Sequence, residues 1–582
     1  MSADAAAFDA IGVTSAGHTL VRRHRLAGVT GAIKGTTAVF LVALGAYLTI
    51  AAVLVFVLNV FAADALARVG LASNVLYSRN ARLESLGFVW GPIPQVLIVP
   101  LLALKPLWPA LADHGFASNI VSALFMAGAV AQVYAFLGDL GIRHRVRVTL
   151  TVVFAIHPMI VFYGSNGMSE APYLFFLVTA ARHLTRWLRD HQATELMAVG
   201  IALALGYLAR YEAAPCAAVV AVLVAVLSFR HAGGDLRSRI ATVRADLVIF
   251  AAPVAMAVVG FALISLVTVG SLSEQLFSEY GATAFRARLA AVGISPSIPL
   301  LVQQVLALVP LLPLIALAAL ASGALRRDVR VLGPLTVLGI GVVVSIGASL
   351  VSNPFQLMRY YIVAVPLGVL LAGNLISGRP GMTLEGSDDT STETEGTIRP
   401  GRAHRVLRVA ASPLLVVPVL VVPALVASGV AMSTAPHGVQ ELHIKAAIET
   451  KLLGSTDDSV AASMVGRLHT EREVAAFLDR LDLPEGSVLV DTGAGFPVVM
   501  ASKRPKQFVI PSDLDFKAAL ADPRGFGIRY ILAFQDLGQG LHDAVAERYP
   551  DLYERGTGWA TLLGDFDNRG DFGDVRIYQV GG

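Results

Sequence analysis

Carboxylates stand at three places where predicted membrane helices end. Asp64 follows the first long apolar run, Glu170 precedes a later one, and Glu212 lies in a tight turn that also contains Arg210. Arg359 comes from the same predicted side of the membrane. A carboxylate can take the proton of an attacking hydroxyl, and arginine holds phosphate through a fixed fork of donors. These residues favour transfer chemistry on an anionic, membrane-bound substrate.

Further candidates on the same predicted side are five basic residues and one aromatic residue. They are Arg79, Arg82, Lys105, Arg286, Arg288 and Tyr360. Most of these side chains come from span ends or short turns, so they are expected close to the membrane surface.

Each main candidate also has a purely structural explanation. Asp64 could cap a helix over 65–69, since Asp is a favoured N-cap residue. Glu170 could begin a span with its charge at the positive helix end. Arg210 and Glu212 could satisfy each other within their turn.

The same holds for the remaining candidates. Arg286 and Arg288 fit a solvated loop face, and Arg359 fits an interfacial anchor. His157, in mid-span, fits a packed residue better than a ligand. The stretch 492–495, Thr-Gly-Ala-Gly after a predicted strand, lacks the full GxGxxG pattern and fits a plain turn better than a phosphate loop.

Apolar runs of membrane-spanning length recur along the 582 residues, of which 55% are hydrophobic. This pattern predicts a polytopic helical membrane protein and excludes a barrel of alternating strands. The only cysteine, Cys216, leaves no intrachain disulfide and no cysteine-based metal site. The net charge of +3 gives no indication of nucleic acid binding, because the basic residues cluster between spans. Scarce lysine with abundant alanine and arginine is typical of a GC-rich bacterium.

Eleven transmembrane helices are predicted, with the N-terminus inside and the C-terminus outside. The apolar piece 88–108 is excluded because it is rich in proline and because, without it, the basic clusters all fall inside. The predicted spans are 36–61, 116–138, 148–165, 171–188, 195–209, 213–229, 247–270, 298–322, 331–351, 360–377 and 406–431.

The composition divides the chain into five predicted parts. They are a cytoplasmic N-terminal segment 1–35, a transmembrane catalytic module 36–377 with an outer loop 62–115, a disordered cytoplasmic loop 378–405, a last transmembrane helix 406–432 and a small extracytoplasmic α/β domain 433–582. In the last part, 470–473 reads as a capping box that opens a helix to Arg480. Strands are predicted at 487–491, 507–510, 529–534 and 575–580, and helices at 514–520 and 539–548.

Over about 36–370 the layout resembles the GT-C superfamily of integral membrane glycosyltransferases. Within it, the chain resembles the dolichyl-phosphate-mannose-protein mannosyltransferase and aminoarabinose transferase branches. The residues that carry the resemblance are Asp64 after the first span and the segments 91–95 (GPIPQ), 157–170 (HPMIVFYGSNGMSE), 208–212 (LARYE) and 359–366 (RYYIVAVP).

The resemblance implies a polyprenyl phosphate sugar as donor and inversion at the anomeric carbon. It makes Asp64 the base for the acceptor hydroxyl, and it makes Glu170 the acidic position that helps the acceptor or a metal. Arg359, Arg286 and Arg288 become candidates to hold the donor phosphate, and the neighbouring Arg210 joins them.

This sequence departs from the family beside Asp64. Many members have two adjacent acidic residues after the first span, whereas Ala63 and Ala65 flank Asp64 here. No metal ligands are therefore assigned. The resemblance itself leaves a divalent metal open.

The resulting prediction is a hexosyl- or pentosyltransferase of the bacterial cytoplasmic membrane. Its partners would be membrane lipid, a polyprenyl phosphate sugar donor and a protein, glycan or lipid acceptor, with no nucleic acid. Two alternatives stay open, a transporter or flippase of envelope lipids and a non-catalytic scaffold. The enzyme hypothesis requires Asp64, Glu170 and Arg359 to converge on one outer cavity.

Overall fold

The computed structural model describes residues 34–291, 293, 296–351, 356–377, 413–454, 467–537, 542–568, 570 and 572–581. The predicted disordered loop 378–405 and nearly all of the predicted N-terminal segment 1–35 lie outside the described residues.

The larger part of the described chain is a series of α-helices that runs to Met432. They are α1 Lys34–Val57, α2 Ala63–Tyr77, α3 Ile93–Leu102, α4 Ala110–Asp113, α5 Phe116–Asp139, α6 His144–Ile156, α7 Pro158–Tyr163, α8 Glu170–Asp190, α9 Ala193–Ala209, α10 Ala213–His231, α11 Leu236–Val269, α12 Glu274–Phe277, α13 Ala282–Ala291, α14 Ile298–Leu308, α15 Leu312–Arg326, α16 Val329–Val351, α17 Met358–Ile376 and α18 Pro413–Met432.

By length and composition, six helices of the described residues can cross a membrane, and seven if the bent pair α14–α15 counts as one span. The six are α1, α5, α10, α11, α16 and α17. The chain is therefore a multi-pass helical membrane protein. Other predicted spans fall on helices that are shorter, broken or more charged: α9 has 17 residues, α7 begins at Pro158 after a break, and α8 carries several arginines. Residues 406–412 of the predicted last span lie outside the described residues.

The proline-rich piece 88–108 does contain a helix, α3, but that helix has only 10 residues. At 1.5 Å per residue it is about 15 Å long, half the hydrocarbon thickness. It packs beside α2, where the Tyr77 hydroxyl donates to the Leu102 carbonyl at 2.9 Å. Just before α3, a Cβ on Gly91 would lie 2.4 Å from the Leu208 carbonyl oxygen, so only glycine permits this approach to the end of α9.

The C-terminal part is a small α/β unit. Its strands form one five-stranded sheet in the order β2-β1-β3-β5-β4, in which β1 is parallel to β2 and β3 while β5 is antiparallel to β3 and β4. The elements are α19 Leu442–Lys451, α20 His469–Arg480, β1 Val488–Leu489, α21 Thr492–Ala501, β2 Phe508–Val509, α22 Phe516–Ala521, β3 Tyr530–Phe534, α23 Ala544–Arg548, α24 Leu552–Arg555, β4 Ala560–Phe566 and β5 Val575–Val580.

Each predicted strand contains one observed strand, and β4 was not predicted. The predicted capping box is wrong, because α20 begins at His469 and its N-cap residue, Leu468, makes no side-chain cap. The Thr-Gly-Ala-Gly stretch is neither a phosphate loop nor a plain turn. It forms the first turn of α21, whose N-cap is Asp491, and the Asp491 carboxylate accepts from the Gly493 amide at 2.6 Å.

The α/β unit shares a hydrophobic core with the segment between α1 and α5. Val69 and Leu111 of that segment belong to the same buried cluster as Leu468 and Met500 of the α/β unit. Polar contacts reinforce the junction: the Arg472 guanidinium donates to the Asp113 carbonyl at 2.9 Å. The α/β unit therefore covers one face of the helical part, named here the covered face and formed by 59–115 and 271–291.

Candidate active site

Four chain segments bring charged side chains together beneath the covered face. They are the first turns of α2, α8 and α17 and the turn between α9 and α10. The resulting group is named here the charged cluster and consists of Asp64, Arg68, Glu170, Arg210, Glu212 and Arg359. The structure thus brings together five of the eleven residues that the sequence analysis names for the site, namely Asp64, Glu170, Arg210, Glu212 and Arg359.

Arg359 links two carboxylates. Its Nη2 donates to Asp64 Oδ2 at 2.8 Å, and its Nε lies 3.7 Å from Glu170 Oε1. The Glu170 side chain is 1% exposed and that of Arg359 is 7% exposed, whereas that of Asp64 is 34% exposed. Asp64 is therefore the carboxylate of this group that a substrate hydroxyl can reach.

Arg210 links the other pair of acids. Its Nη1 donates to Glu170 Oε1 at 2.6 Å and its Nη2 to Glu212 Oε1 at 2.8 Å. Glu170 thus accepts from Arg210 while it also lies beside Arg359. Two guanidinium groups converge on the one buried carboxylate of Glu170, and this arrangement holds the cluster in a fixed geometry.

Arg68 completes the cluster, and sequence reasoning did not include it among the site residues. Its Nη2 donates to Ser169 Oγ at 3.2 Å, and its guanidinium lies 4.6 Å from the ring centre of Trp90. Arg68 follows Asp64 by four residues in α2, so helical periodicity places both side chains on one face. That spacing could have identified it.

The structural alternatives have distinct outcomes. The capping hypothesis for Asp64 is wrong, because α2 begins at Ala63 with Ala62 as N-cap and without a side-chain cap. Glu170 does begin α8, but its carboxylate also pairs with Arg210. Arg210 and Glu212 do satisfy each other, within a network larger than their own turn.

Opposing influences act on the Asp64 carboxyl, which lies beyond the end of α1. Burial raises the pKa of Asp64, but the positive charges of Arg359, Arg68 and Arg210 lower it by more than burial raises it. The pKa of Asp64 therefore lies below its ordinary value. Asp64 is thus ionised at neutral pH and tied to Arg359. It becomes a stronger base when that arginine is drawn to another anion.

The other predicted candidates have different surroundings. Arg79 pairs with Asp515 of the α/β unit, and the Arg82 guanidinium donates to the Ser512 carbonyl at 2.6 Å. Lys105 Nζ lies 3.7 Å from an Asp113 carboxylate oxygen. These three basic residues therefore contribute to packing of the covered face.

The remaining three candidates lie on α13 and α17. Arg286 is exposed on α13, and Arg288 donates to the Glu279 carbonyl at 2.7 Å. Tyr360 lies beside the charged cluster, with its ring centre 5.3 Å from the Arg359 guanidinium. A role in binding stays a prediction for each of them.

The Arg79 contact leads to a prediction about attachment of the α/β unit. Arg79→Ala removes two hydrogen bonds to Asp515, one of them from Nη1 to Oδ2 at 3.0 Å, together with an ion pair to Asp513 at 3.5 Å. Charge-assisted hydrogen bonds contribute about 1.5–3 kcal/mol. We expect amides around 508–516 to lose about tenfold in hydrogen-exchange protection, as measured by mass spectrometry.

The matched control is Arg504→Ala. Arg504 pairs with the exposed Asp482 of the same unit and makes none of the contacts of Arg79, so its loss should leave that protection unchanged. Equal effects of the two substitutions would contradict a specific attachment role for Arg79.

The acidic residues of the cluster are a poor fit to a divalent metal. Within the described residues, no group of three or more His, Cys, Asp or Glu side chains is arranged to hold a metal ion. Asp64, Glu170 and Glu212 each pair with a guanidinium instead. The guanidinium groups of the cluster offer more hydrogen-bond donors than its carboxylates occupy. They therefore suit an anion, such as a phosphate, that can take the place of a carboxylate.

Fold and site together define a class: a multi-pass helical membrane protein with a buried arginine–carboxylate cluster under a C-terminal α/β unit. Residues 107–259 match the family model described as dolichyl-phosphate-mannose-protein mannosyltransferase. The predicted resemblance to the GT-C superfamily is confirmed by this match, which includes Glu170, Arg210 and Glu212 and leaves Asp64 and Arg359 outside it.

Two solved structures are similar to this chain. One is the archaeal oligosaccharyltransferase AglB from Archaeoglobus fulgidus in complex with an inhibitory peptide and a dolichol-phosphate, at 13% identity and a TM-score of 0.41, covering 93% of this chain and 74% of that one. The other is ArnT from Cupriavidus metallidurans bound to undecaprenyl phosphate, at 13% identity and a TM-score of 0.45, covering 94% of this chain and 98% of that one. No curated protein sequence matches the chain.

Proposed function

We propose that this protein transfers a sugar from a polyprenyl-phosphate-linked donor to an acceptor hydroxyl at the outer face of a bacterial cytoplasmic membrane. The observation that carries the proposal is the 2.8 Å ion pair between the reachable Asp64 carboxylate and Arg359, which lies beside Glu170 and Arg210. The pair joins a base to a phosphate-binding group. The family-model match supports a sugar donor carried on a lipid phosphate.

The reaction is a single in-line displacement. The acceptor oxygen attacks the anomeric carbon, the bond from that carbon to the phosphate oxygen breaks, and polyprenyl phosphate leaves with both electrons. Asp64 takes the acceptor proton, while Arg359 and Arg210 stabilise the charge that develops on the phosphate. The sugar emerges with inverted configuration. Arg286 and Arg288 are kept as further candidates for the donor phosphate.

The ion pair gives this mechanism an order of events. An incoming donor phosphate competes with Asp64 for the Arg359 guanidinium, since both are anions and arginine binds phosphate in a forked geometry. Loss of that neighbour raises the pKa of Asp64 towards its ordinary range. The base is thus released by binding of the donor, so the acceptor is activated only when a sugar is in place.

The proposed topology has eleven spans, with the charged cluster and the α/β unit outside. α8 begins at Glu170 in the cluster, and further along it Arg182 pairs with Asp139 at the end of α5, 2.6 Å away. The end of α5 and the later part of α8 therefore lie together on the side of the helical part opposite to the charged cluster. Basic residues near the face away from the α/β unit favour placing that face in the cytoplasm.

The first test is turnover. The purified protein in lipid nanodiscs is given a panel of hexosyl and pentosyl polyprenyl phosphates together with an acceptor extract from cell envelopes, and release of polyprenyl phosphate is followed. We expect release from one donor class and none without the extract. Failure of every donor, with the protein folded, would overturn the proposal in favour of a transporter or scaffold.

A sharper prediction concerns Arg359→Lys. Lysine keeps the charge but offers a point charge on a flexible stem, so it cannot hold Asp64 and a phosphate in one fixed geometry. We expect the donor KM to rise about 10–100-fold, corresponding to about 1.4–2.8 kcal/mol of lost binding. Initial rates over a range of donor concentrations measure this change.

The control substitution is Arg82→Lys on the same covered face. Arg82 donates to a backbone carbonyl of the α/β unit, a contact that an ammonium group can also make. Donor KM should stay within about twofold of the wild type. An unchanged KM in Arg359→Lys would remove Arg359 from the proposed phosphate site.

A further inference from the structure

Of the three arginines in the charged cluster, Arg68 alone makes no ion pair within the described residues. Arg210 pairs with Glu170 and Glu212, and Arg359 pairs with Asp64. No carboxylate oxygen of the described chain lies within 4.0 Å of an Arg68 side-chain nitrogen. Arg68 is therefore the cation of the cluster whose guanidinium is not already occupied by an acid.

Arg68 is nevertheless buried, with 6% of its surface exposed. Its Nη2 donates to Ser169 Oγ at 3.2 Å and its Nη1 to the Asp64 backbone carbonyl at 3.4 Å, while its Nε has no hydrogen-bond partner among the described residues. Both acceptors are neutral, and a guanidinium has five N–H donors. A buried cation with neutral partners and unused donors costs stability, so the position points to an anionic ligand.

The indole of Trp90 fixes this guanidinium in place, with its ring centre 4.6 Å away. Trp90 is itself held from both sides. The Tyr211 hydroxyl donates to the Val89 carbonyl, and Gly91 approaches the backbone at the end of α9 closely. A guanidinium over an aromatic face keeps the N–H groups at its edge free, so Trp90 orients Arg68 without using its donors.

The distribution of charge favours Arg68 as the first contact for an anion. The other two arginines of the cluster and its three carboxylates together carry a net charge of −1, which repels an arriving phosphate. Arg68 offsets that charge from outside ion-pair distance. It offers a phosphate a positive partner without the prior breaking of an ion pair.

Arg68 also stands at a suitable place relative to the proposed base. It lies one helical turn after Asp64 in α2, and Cβ atoms four residues apart on a helix are about 5–6 Å apart. In a single displacement, the base and the phosphate-binding group approach oxygens on opposite sides of the anomeric carbon. The Asp64 side chain is 34% exposed and Trp90 is partly exposed, so accessible space borders this turn of α2.

We propose that Arg68, oriented by Trp90, is the first binding group for the phosphate of the lipid-linked donor. The inference rests on the proposed function and deepens it. The phosphate binds the unpaired guanidinium of Arg68, and from there it competes with Asp64 for Arg359. Arg68 thus captures the donor before the base is released, and Trp90 is a positioning residue that acts through Arg68.

Lipid binding tests the role of Arg68. Undecaprenyl phosphate, the uncharged undecaprenol and inorganic phosphate are each titrated into nanodisc-embedded protein by isothermal titration. We expect the wild type to bind undecaprenyl phosphate at least about tenfold more tightly than either of the others, and Arg68→Gln to lose most of its preference over undecaprenol. An unchanged preference in Arg68→Gln overturns the inference. Equal affinity of the wild type for inorganic phosphate and the lipid overturns it as well, in favour of a free-phosphate site.

Thermal unfolding separates binding from a structural role. Glutamine can still donate to Ser169, and Arg68→Gln breaks no ion pair, so its Tm should fall much less than when Arg210, which holds two carboxylates, is replaced by methionine. A large fall in Tm with unchanged lipid affinity would make Arg68 a structural residue and overturn the inference.

The matched control is Arg147→Gln. The Arg147 guanidinium also lies over an aromatic ring, that of Tyr134 at 3.4 Å, and it makes no ion pair in the described part of the chain. It packs against Gly138 near the end of α5, on the side opposite to the charged cluster. Its replacement should leave the preference for undecaprenyl phosphate unchanged, and an equal loss in both variants would contradict a specific site at Arg68.

Two substitutions of Trp90 test its positioning role. Trp90→Leu removes the aromatic face and should weaken binding of undecaprenyl phosphate about three- to tenfold, whereas Trp90→Phe keeps a ring and should recover most of that loss. The double variant Arg68→Gln/Trp90→Leu should bind no more weakly than Arg68→Gln alone, because Trp90 acts through Arg68. Additive losses would show that Trp90 acts independently of Arg68.

The same measurements distinguish this inference from the proposed function. Absence of turnover in the wild type, with undecaprenyl phosphate still bound through Arg68, overturns the proposed function and supports the phosphate site. Turnover in the wild type, with donor KM and lipid affinity unchanged in Arg68→Gln, supports the proposed function and overturns the role of Arg68.

Discussion

Asp64→Asn is expected to reduce kcat by about 10²–10⁴-fold, the usual contribution of a positioned general base. Asparagine keeps the size of the side chain and can still accept a hydrogen bond from Arg359, so the 2.8 Å contact has a neutral substitute. It cannot take up the acceptor proton. Because Arg359 loses an anionic competitor, the donor KM should stay level or fall. Release of polyprenyl phosphate under donor saturation measures the loss.

Asp113→Asn serves as the control for charge on the same face. Asp113 pairs with Lys105 outside the charged cluster, so its loss should leave kcat within about twofold. If Asp64→Asn retains wild-type kcat while the control behaves as stated, the base lies elsewhere and the Asp64–Arg359 pair is structural.

The wild type should show a matching pH dependence. The arginine charges hold the pKa of Asp64 below its ordinary value despite burial. The stabilisation from this pair is therefore complete above the ordinary range of aspartate, and it is lost as the pH falls through the lower folded value. The acid limb of kcat/KM, which reports the free enzyme, should lie below the ordinary range of aspartate.

The second large effect is on stability. Arg210→Met removes the closest partner of Glu170, whose side chain is 1% exposed, and the partner of Glu212 as well. Breaking a buried ion pair by removing one member costs about 3–5 kcal/mol, because the other charge is left buried. We expect the thermal unfolding midpoint to fall markedly and turnover to be lost, as measured by intrinsic fluorescence on heating together with polyprenyl phosphate release.

A double substitution distinguishes a lost charge balance from lost packing. In Arg210→Met/Glu170→Gln the more deeply buried of the two stranded carboxylates is also removed, so part of the stability should return while turnover stays low. Arg189→Met, which breaks an exposed pair with Asp190 in the same helix as Glu170, should change the unfolding midpoint little. No recovery in the double variant would show that Arg210 stabilises the fold by packing.

Much of the site could be predicted because membrane spans restrict geometry. Asp64, Glu170, Arg210 and Arg359 stand at helix ends, and alternating spans bring such ends to one face. The sequence could not say which arginine pairs with which acid, since that depends on side-chain reach within a packed cluster. Arg79 was grouped with the site for its predicted side alone, whereas it reaches Asp515, 436 residues further along the chain.

The misses in the α/β unit have local causes. β4 has exposed leucines at Leu562 and Leu563 and an irregular register at Gly564, so it lacks the alternation that marks a strand. The hydrogen bond between Tyr163 and Glu441 was missed because the two residues are distant in sequence and Tyr163 lies within an apolar helix. Such long-range polar pairings leave no periodic trace in a single sequence.

The core shared by Val69 and Leu111 with Leu468 and Met500 has a consequence for biosynthesis. The ribosome makes the two halves of this core at different times, and the chain from Arg79 to Asp515 alone spans 436 residues. At about 5–20 residues per second, synthesis of that stretch takes about 20–90 s. For that interval the part of the apolar face of α2 that packs on the α/β unit stays uncovered. A nascent chain that stalls before the α/β unit would therefore expose apolar surface to the quality-control machinery of the membrane.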